Sequence, residues 1–161
     1  MILKFINVIT PLVSIISIFI SHYLGMKKTD KRLELEALQK RYDNVYIPYM
    51  QMLSKAIPIL PYPINNPDIA IAINSITLEN IEYLGKESSS YAIDFYLEML
   101  DFFEYYNGNK EFPDAKDKIN AIFHKMTQAI LLEASQLSQE LKLADISQVF
   151  CNEIQNYQSR I

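Results

Sequence analysis

The 161-residue chain is short of the residue types on which most catalytic and binding signatures depend. It contains three glycines, two histidines, one cysteine and no tryptophan. The glycines, Gly25, Gly85 and Gly108, are far apart, which excludes a glycine-rich loop of the kind that holds phosphate groups. A single cysteine excludes an internal disulfide bond.

Catalytic and metal-binding arrangements are equally scarce. Cys151 has no histidine near it in the sequence to activate its thiol. His22 and His124 lack the histidine or glutamate at helical spacing that a metal site in a helical protein needs. We therefore expect a protein that is not an enzyme, has no cofactor or metal, and acts on no small-molecule substrate.

Charge is distributed unevenly along the chain, although the net charge is only −4. Residues 1–55 carry eight basic and four acidic residues, whereas residues 56–161 carry seven and fifteen. No basic stripe follows the first part of the chain, and nucleic-acid binding requires one. We expect no nucleic-acid partner.

The most prominent feature that is present is an apolar segment from Phe5 to Gly25. Its 21 residues would form a helix of about 32 Å, which matches a bilayer core of about 30 Å. The sequence predicts a transmembrane anchor over residues 1–26, with the lipid bilayer as its first partner. The polar residues of this segment are spaced three or four apart, as a packing seam of Asn7, Thr10, Ser14, Ser17 and Ser21.

Two interpretations of the seam remain open. Small polar residues on one side of a membrane helix allow close packing against a second copy or another membrane protein. The same hydroxyl groups can instead bond to carbonyls of their own helix and need no partner.

Basic residues follow the apolar segment directly and form a topology collar of Lys27, Lys28, Lys31 and Arg32. On the N-terminal side there is only Lys4 and the chain's amine. Because basic residues are retained on the cytoplasmic side, the collar predicts a single-pass protein of the cell membrane with its N-terminus outside. Residues 27–161 would then be cytoplasmic.

The remaining pattern predicts an all-α protein, in which the transmembrane helix continues into a cytoplasmic bundle of four to five helices. Residues 27–56 form a juxtamembrane helix, which Pro48 weakens or kinks at Ile47. A proline-rich connection covers residues 57–67, and a bundle domain over residues 68–161 packs with the juxtamembrane helix.

Helix boundaries in the bundle follow from capping and breaking residues. Asn66 and Pro67 begin a helix that runs to about Leu84 and stops at Gly85, although the alternating isoleucines of residues 69–73 leave a short strand open. Ser88–Ser90 cap the next helix, which Asn107-Gly108 ends after Tyr106. A long helix follows Pro113, and a last amphipathic segment runs from Ile146 to Tyr157.

A candidate partner surface lies on the aromatic helix that ends at Tyr106. Asp94, Glu98 and Asp101 share one side of that helix, and Tyr105 and Tyr106 follow them. Solvated acidic residues and core aromatics are the simpler interpretation, but tyrosine is also favoured at interfaces. A larger set of tyrosines, beyond the needs of a small core, supports the second interpretation: Tyr42, Tyr46, Tyr49, Tyr62, Tyr105 and Tyr106.

With its anchor and collar, the chain resembles small prophage-encoded superinfection-exclusion membrane proteins of low-GC Gram-positive bacteria. The resemblance implies a protein that stops phage DNA from entering at the host membrane without affecting adsorption. Two other functions stay open: an oligomerising, membrane-disrupting effector, and an adaptor subunit of a host membrane complex.

Overall fold

In a computed structural model, the structure describes residues 2–56, 66–109 and 111–158, with the side chains of residues 17–56, 66–109 and 111–156. All regular structure within these ranges is helical, without a strand, so the predicted all-α class is confirmed. Contacts divide the chain into two units, Met1–Ala37 and Leu38–Ile161. Most of the predicted proline-rich connection, residues 57–65, lies outside the described ranges.

Helix α1 extends from Ile2 to Arg41 and forms the first unit as far as Ala37. Its described side chains, from residue 17 to residue 37, are exposed. No helix is both long enough and apolar enough to cross a membrane, as far as the described residues extend. The anchor predicted over residues 1–26 is not supported by this finding and stays a prediction, and the side chains of residues 1–16 lie outside the described part.

The second unit starts at Leu38, near the end of α1. The backbone hydrogen bonds of this helical stretch change from the α-helical to the π-helical pattern before Pro48. A π-helical turn spans Tyr42–Tyr46, and helix α2 continues over Ile47–Ala56. The Ile47 N–H donates to the Tyr42 carbonyl, five residues back. Pro48 has no N–H to donate, and the wider turn adjusts the backbone just before it. The irregularity predicted at Ile47 is therefore present in the turn that precedes it.

Helix α3 extends from Pro67 to Leu78, and its predicted start is confirmed. The Asn66 side chain accepts the Asp68 N–H at 3.0 Å. Residues 69–73 are helical, which settles the open choice between helix and strand. The predicted end at Leu84 is wrong, because the Asn80 side chain donates to the Ile76 carbonyl and a 3₁₀ turn, Ile81–Tyr83, follows.

Helices α4, α5 and α6 span Lys86–Tyr106, Ala115–Glu140 and Ser147–Gln158. Gly85 precedes α4 instead of ending the previous helix. Ser88–Ser90 do not cap α4 as predicted, because they lie inside its first turns, where the Ser88 and Ser89 hydroxyls donate to the Gly85 carbonyl at 3.2 and 2.6 Å. The predicted end of α4 is confirmed, and Gly108 has a φ of +93°, which suits glycine.

The core of the second unit is built mainly from aromatic and aliphatic side chains of the π-helical turn and of α2, α3, α4 and α5. Tyr42, Tyr46 and Tyr49 are almost completely buried, so the prediction that they are surplus to the core is wrong. Phe95 and Phe123 join α4 to α5 with ring centroids 6.4 Å apart. Burial of each such side chain contributes about 1.5–3 kcal/mol. Helix α6 covers α5 with residues that are only half-buried: Phe150, Cys151 and Ile154.

Candidate functional site

A row of exposed apolar side chains follows the outer side of α4. Ile93, Tyr96, Leu97 and Leu100 are 48, 38, 54 and 45% exposed. Their spacing of three and four residues places them on one side of the helix. The adjoining side carries the buried residues Ala92, Phe95, Met99 and Phe102, with Ala92 four residues before Tyr96. A surface helix normally has an apolar stripe of about 100°, and the apolar residues of α4 continue from the buried side around more than half of its circumference. We call the exposed set the α4 row.

Acidic side chains border the α4 row and form what we call the acidic edge: Asp94, Glu98 and Asp101. They stand at helical spacing on one side of α4, as the sequence predicted, with Asp94 exposed and the other two half-buried. Glu98 Oε2 is enclosed and has no hydrogen-bond partner in the part of the chain that the structure describes. An enclosed acceptor without a partner costs free energy until a donor reaches it.

The two tyrosines predicted for this surface lie on different sides of α4. Tyr105 lies four residues after Asp101 and extends the acidic edge, with 37% of its surface exposed. The Tyr106 ring packs against Phe102, with ring centroids 6.1 Å apart, and remains 64% exposed. Only Tyr105 therefore continues the predicted surface along the side of the carboxylates.

Helix α5 provides the second wall of a groove along the acidic edge. Two shallow depressions, of about 260 and 240 Å³, follow each other there and share Lys125. We call them the α4–α5 groove, which is lined by Glu87, Tyr91, Asp94, Leu97, Glu98, Ile122, Lys125, Gln128, Ala129 and Leu132. Leu97 belongs to both the groove and the α4 row, so the two apolar surfaces are continuous.

A partly buried polar cluster, which we call the Glu133 clamp, lies where α4 begins. It comprises Arg41, Tyr46, Gly85, Ser88 and Glu133. The Glu133 carboxylate accepts hydrogen bonds from the Tyr46 hydroxyl at 2.7 Å and from the Gly85 N–H at 2.9 Å. The Ser88 hydroxyl donates to the same carboxylate at 2.8 Å. Negative charge at this position is also favoured by the N-terminus of α4.

The clamp connects segments that are distant in sequence. Arg41 Nε donates to the Tyr83 carbonyl at 2.8 Å, and Arg41 Nη2 is 3.4 Å from the Tyr46 hydroxyl. Burial, and then the hydrogen bond to Glu133, raise the pKa of Tyr46 well above its usual value. The phenol therefore stays protonated near neutral pH and serves as a donor within the fold. The clamp holds the start of α4 against α5 instead of presenting a reactive group.

The clamp is not predicted by the sequence pattern. One signal was available: Glu133 interrupts the apolar run that comprises Ile130, Leu131, Leu132 and Ala134. A carboxylate at the edge of a buried helix side needs donors, but its donors come from residues 45 to 87 positions away. Sequence spacing cannot identify such donors.

Cys151 and His124, which are distant in sequence, line one pocket between α5 and α6. The pocket has a volume of about 150 Å³ and also contacts Leu131 and Ile154. Burial, with a further contribution from Asp145, raises the pKa of the Cys151 thiol. A protonated thiol is a poor nucleophile, so this arrangement gives no support to cysteine catalysis. Across the described residues, no cluster of three or more histidine, cysteine or carboxylate side chains is placed to hold a metal ion.

The predicted seam and collar lie in the first unit. Ser17 and Ser21 are exposed on α1, and the side chains of Asn7, Thr10 and Ser14 lie outside the described residues. All four collar residues, Lys27, Lys28, Lys31 and Arg32, are exposed. Arg32 Nε lies 3.4 Å from Glu36 Oε1 in an exposed ion pair, which contributes little to stability. The roles predicted for both sets stay predictions.

Comparison with known proteins finds no matching family model, curated protein or solved structure. The resemblance to superinfection-exclusion proteins therefore stays a prediction.

Proposed function

We propose that the protein is a membrane-anchored, non-catalytic interaction protein that blocks phage DNA entry at the host membrane. The observation that carries the proposal is the α4 row, which extends the apolar surface of α4 beyond the side that already fills the core. Uncovered apolar surface of this kind marks protein interaction sites. A function that depends on binding also agrees with the scarcity of catalytic residues in the sequence.

The membrane part of the proposal is supported by the sequence of the first unit. The apolar residues 5–25 have the length of a bilayer span, and the exposed collar follows them at once. In this arrangement the N-terminus is outside and the second unit is cytoplasmic. An anchor would also raise the local concentration of the α4 row near any entry complex in the same membrane.

The surface charge of the second unit favours a protein over lipid as its target. Residues 68–104 contain eight acidic residues and one basic residue, Lys86. The inner leaflet is anionic and repels such a surface. The α4 row is therefore available to a membrane protein, and occupation of an entry complex would prevent DNA passage without a chemical step.

The test is expression of the full chain in a phage-sensitive host, with adsorption and intracellular phage DNA measured after infection. We expect normal adsorption and a strong reduction in DNA entry. The double variant Leu97→Ser/Leu100→Ser should restore entry, because it removes half of the α4 row. A matched control is Ile71→Ser, which changes an isoleucine on α3 that is 51% exposed and outside the row.

Three results would contradict the proposal. Normal DNA entry with the wild-type chain would remove the phage function. Dye uptake and growth arrest on expression alone would indicate a membrane-disrupting effector. A stable host complex in uninfected cells, with no effect on infection, would indicate an adaptor subunit.

A further inference from the structure

We propose that the α4 row and the α4–α5 groove dock an amphipathic helix of a partner protein that carries basic residues beside its apolar side. This inference rests on the proposed interaction function and specifies the chemistry of the partner. It is carried by the juxtaposition of Leu97 and Leu100 with the carboxylates of the acidic edge.

The charge of α4 distinguishes between the partners that could cover the α4 row. Helix α4 contains five acidic residues, Glu87, Asp94, Glu98, Asp101 and Glu104, and one base, Lys86. Two copies that met through their α4 rows would bring their acidic edges together, and such juxtaposition of like charges is unfavourable. An anionic lipid surface would be repelled in the same way. A basic helix is attracted.

The geometry suits a helix more than an extended peptide. The α4 row extends over eight residues, from Ile93 to Leu100, whose seven residue steps cover about 10 Å along the axis, or two turns of a partner helix. Helix-in-groove recognition uses apolar anchors at the same spacing of three and four residues. A peptide that binds by strand addition would instead need an open sheet edge, and the described residues form no strand.

Two polar groups would orient the partner. The Glu98 carboxyl group is half-buried and lines the groove, and a lysine or arginine of the partner would pair with it there. Lys125 is the only base among the described residues that line the groove, and it separates the two depressions. An acidic residue of the partner at this point would fix its direction along α4.

The experiment is photo-crosslinking of a designed helical peptide to the full chain in lipid nanodiscs. The probe has leucine at positions i, i+3, i+4 and i+7 with flanking lysines, and the matched control peptide has glutamate in place of each lysine. A photoreactive phenylalanine replaces Tyr96 in the row or, as a control, the exposed Gln148 on α6. Adsorption of the peptide to lipid would raise crosslinking at both positions, so the excess at position 96 over position 148 reports docking.

We expect the lysine peptide to crosslink at position 96 at least tenfold more than the glutamate peptide, and more than at position 148. The variant Asp94→Asn/Glu98→Gln/Asp101→Asn should lower that yield severalfold, as should added salt. Equal yields for the two peptides, or no loss in this variant, would overturn the proposal. Crosslinks between two copies through position 96, or to lipid, would show a different occupant.

The outcome is separable from that of the proposed function. Blocked DNA entry without peptide crosslinking would leave the interaction function standing and reject the basic helix as its partner. Crosslinking at position 96 with normal DNA entry would retain the docking surface and reject the phage function.

Discussion

The Glu133 carboxylate lies directly over Gly85 and accepts its N–H at 2.9 Å. A Cβ atom at position 85 would stand 2.2 Å from Glu133 Oε1 and 2.6 Å from its carboxyl carbon. Gly85 has a φ of −72°, which any residue adopts, so glycine is required here for the missing side chain and not for its backbone freedom. The two residues therefore constrain each other directly.

The first prediction is that Gly85→Ala destabilises the bundle by about 2–3 kcal/mol, because the carboxylate must leave and its donors lose their acceptor. Glu133→Ala should cost about as much. In the double variant the cost should be far below the sum, since both changes remove the same contacts. Urea unfolding followed by circular dichroism measures all three.

The control for that cycle is Gly25→Ala. A Cβ at position 25 meets nothing within 4 Å, and the residue lies inside α1. We expect no loss of bundle stability from this change. Additive costs for positions 85 and 133 would contradict the direct contact.

The second prediction concerns the buried hydrogen bond between the Tyr49 hydroxyl and Thr127 Oγ1, 2.7 Å apart. Tyr49→Phe or Thr127→Val leaves one polar group buried without a partner, which costs about 1–3 kcal/mol. The double variant removes both groups and should be more stable than the less stable single variant. Thermal unfolding of the three variants tests this, and a double variant less stable than both singles would refute it.

The third prediction is a loss of stability in alkali. Burial raises the pKa of Tyr46 above its ordinary value of 10.0, so folding favours the protonated phenol. The resulting stability is complete below pH 10.0 and falls as the pH rises above it. Tyr46→Phe should flatten the dependence of the urea midpoint on pH above this value.

Tyr106→Phe is the matched control for the alkaline experiment, because its ring is 64% exposed. It should leave the pH dependence of the midpoint as in the wild-type chain. An unchanged slope in Tyr46→Phe would show that other groups determine the alkaline loss.

The fourth prediction uses the single cysteine as a reporter of α6. The Asp145 carboxylate accepts from the Ser135 and Ser147 hydroxyls, both at 2.5 Å, and these bonds lower the pKa of Asp145. Asp145→Ala removes this connection between α5 and the start of α6. Alkylation of the partly covered Cys151 should then accelerate, on the order of tenfold for a loss of about 1.4 kcal/mol.

The matched control for that labelling is Asp117→Ala, a change at an exposed position on α5. It should leave the alkylation rate of Cys151 at the wild-type value. Equal rates in Asp145→Ala and the control would mean that the Asp145 contacts do not hold α6.

Local signals explain why much of the fold was predictable. Asn66, Pro67 and Gly108 act through their own backbone or that of adjacent residues, and the boundaries they predict are confirmed. The periodic apolar residues of α5, such as Phe123 and Ile130, are buried as their spacing predicts. Signals of this kind depend on residues within a few positions of each other, which is the range that a sequence displays.

Predictions failed where the role of a residue depends on partners that are distant in sequence. Gly85 was interpreted as a helix stop because glycine often ends helices, but a carboxylate 48 positions away determines its role. The buried tyrosines were counted as surplus because their hydroxyl partners, Glu133 and Thr127, cannot be identified from spacing. The sequence does not predict the α4 row, because exposed apolar residues that adjoin a buried helix side have the same spacing as core residues.

The Glu133 clamp has a consequence for the groove between α4 and α5. The chain joins the two helices at one end through residues 107–114, and the clamp joins them at the other, where Gly85 and Ser88 meet Glu133. The two helices are therefore held together at both ends, and the walls of the groove resist separation. A ligand would have to fit the groove as it stands, because widening it would break the hydrogen bonds to Glu133.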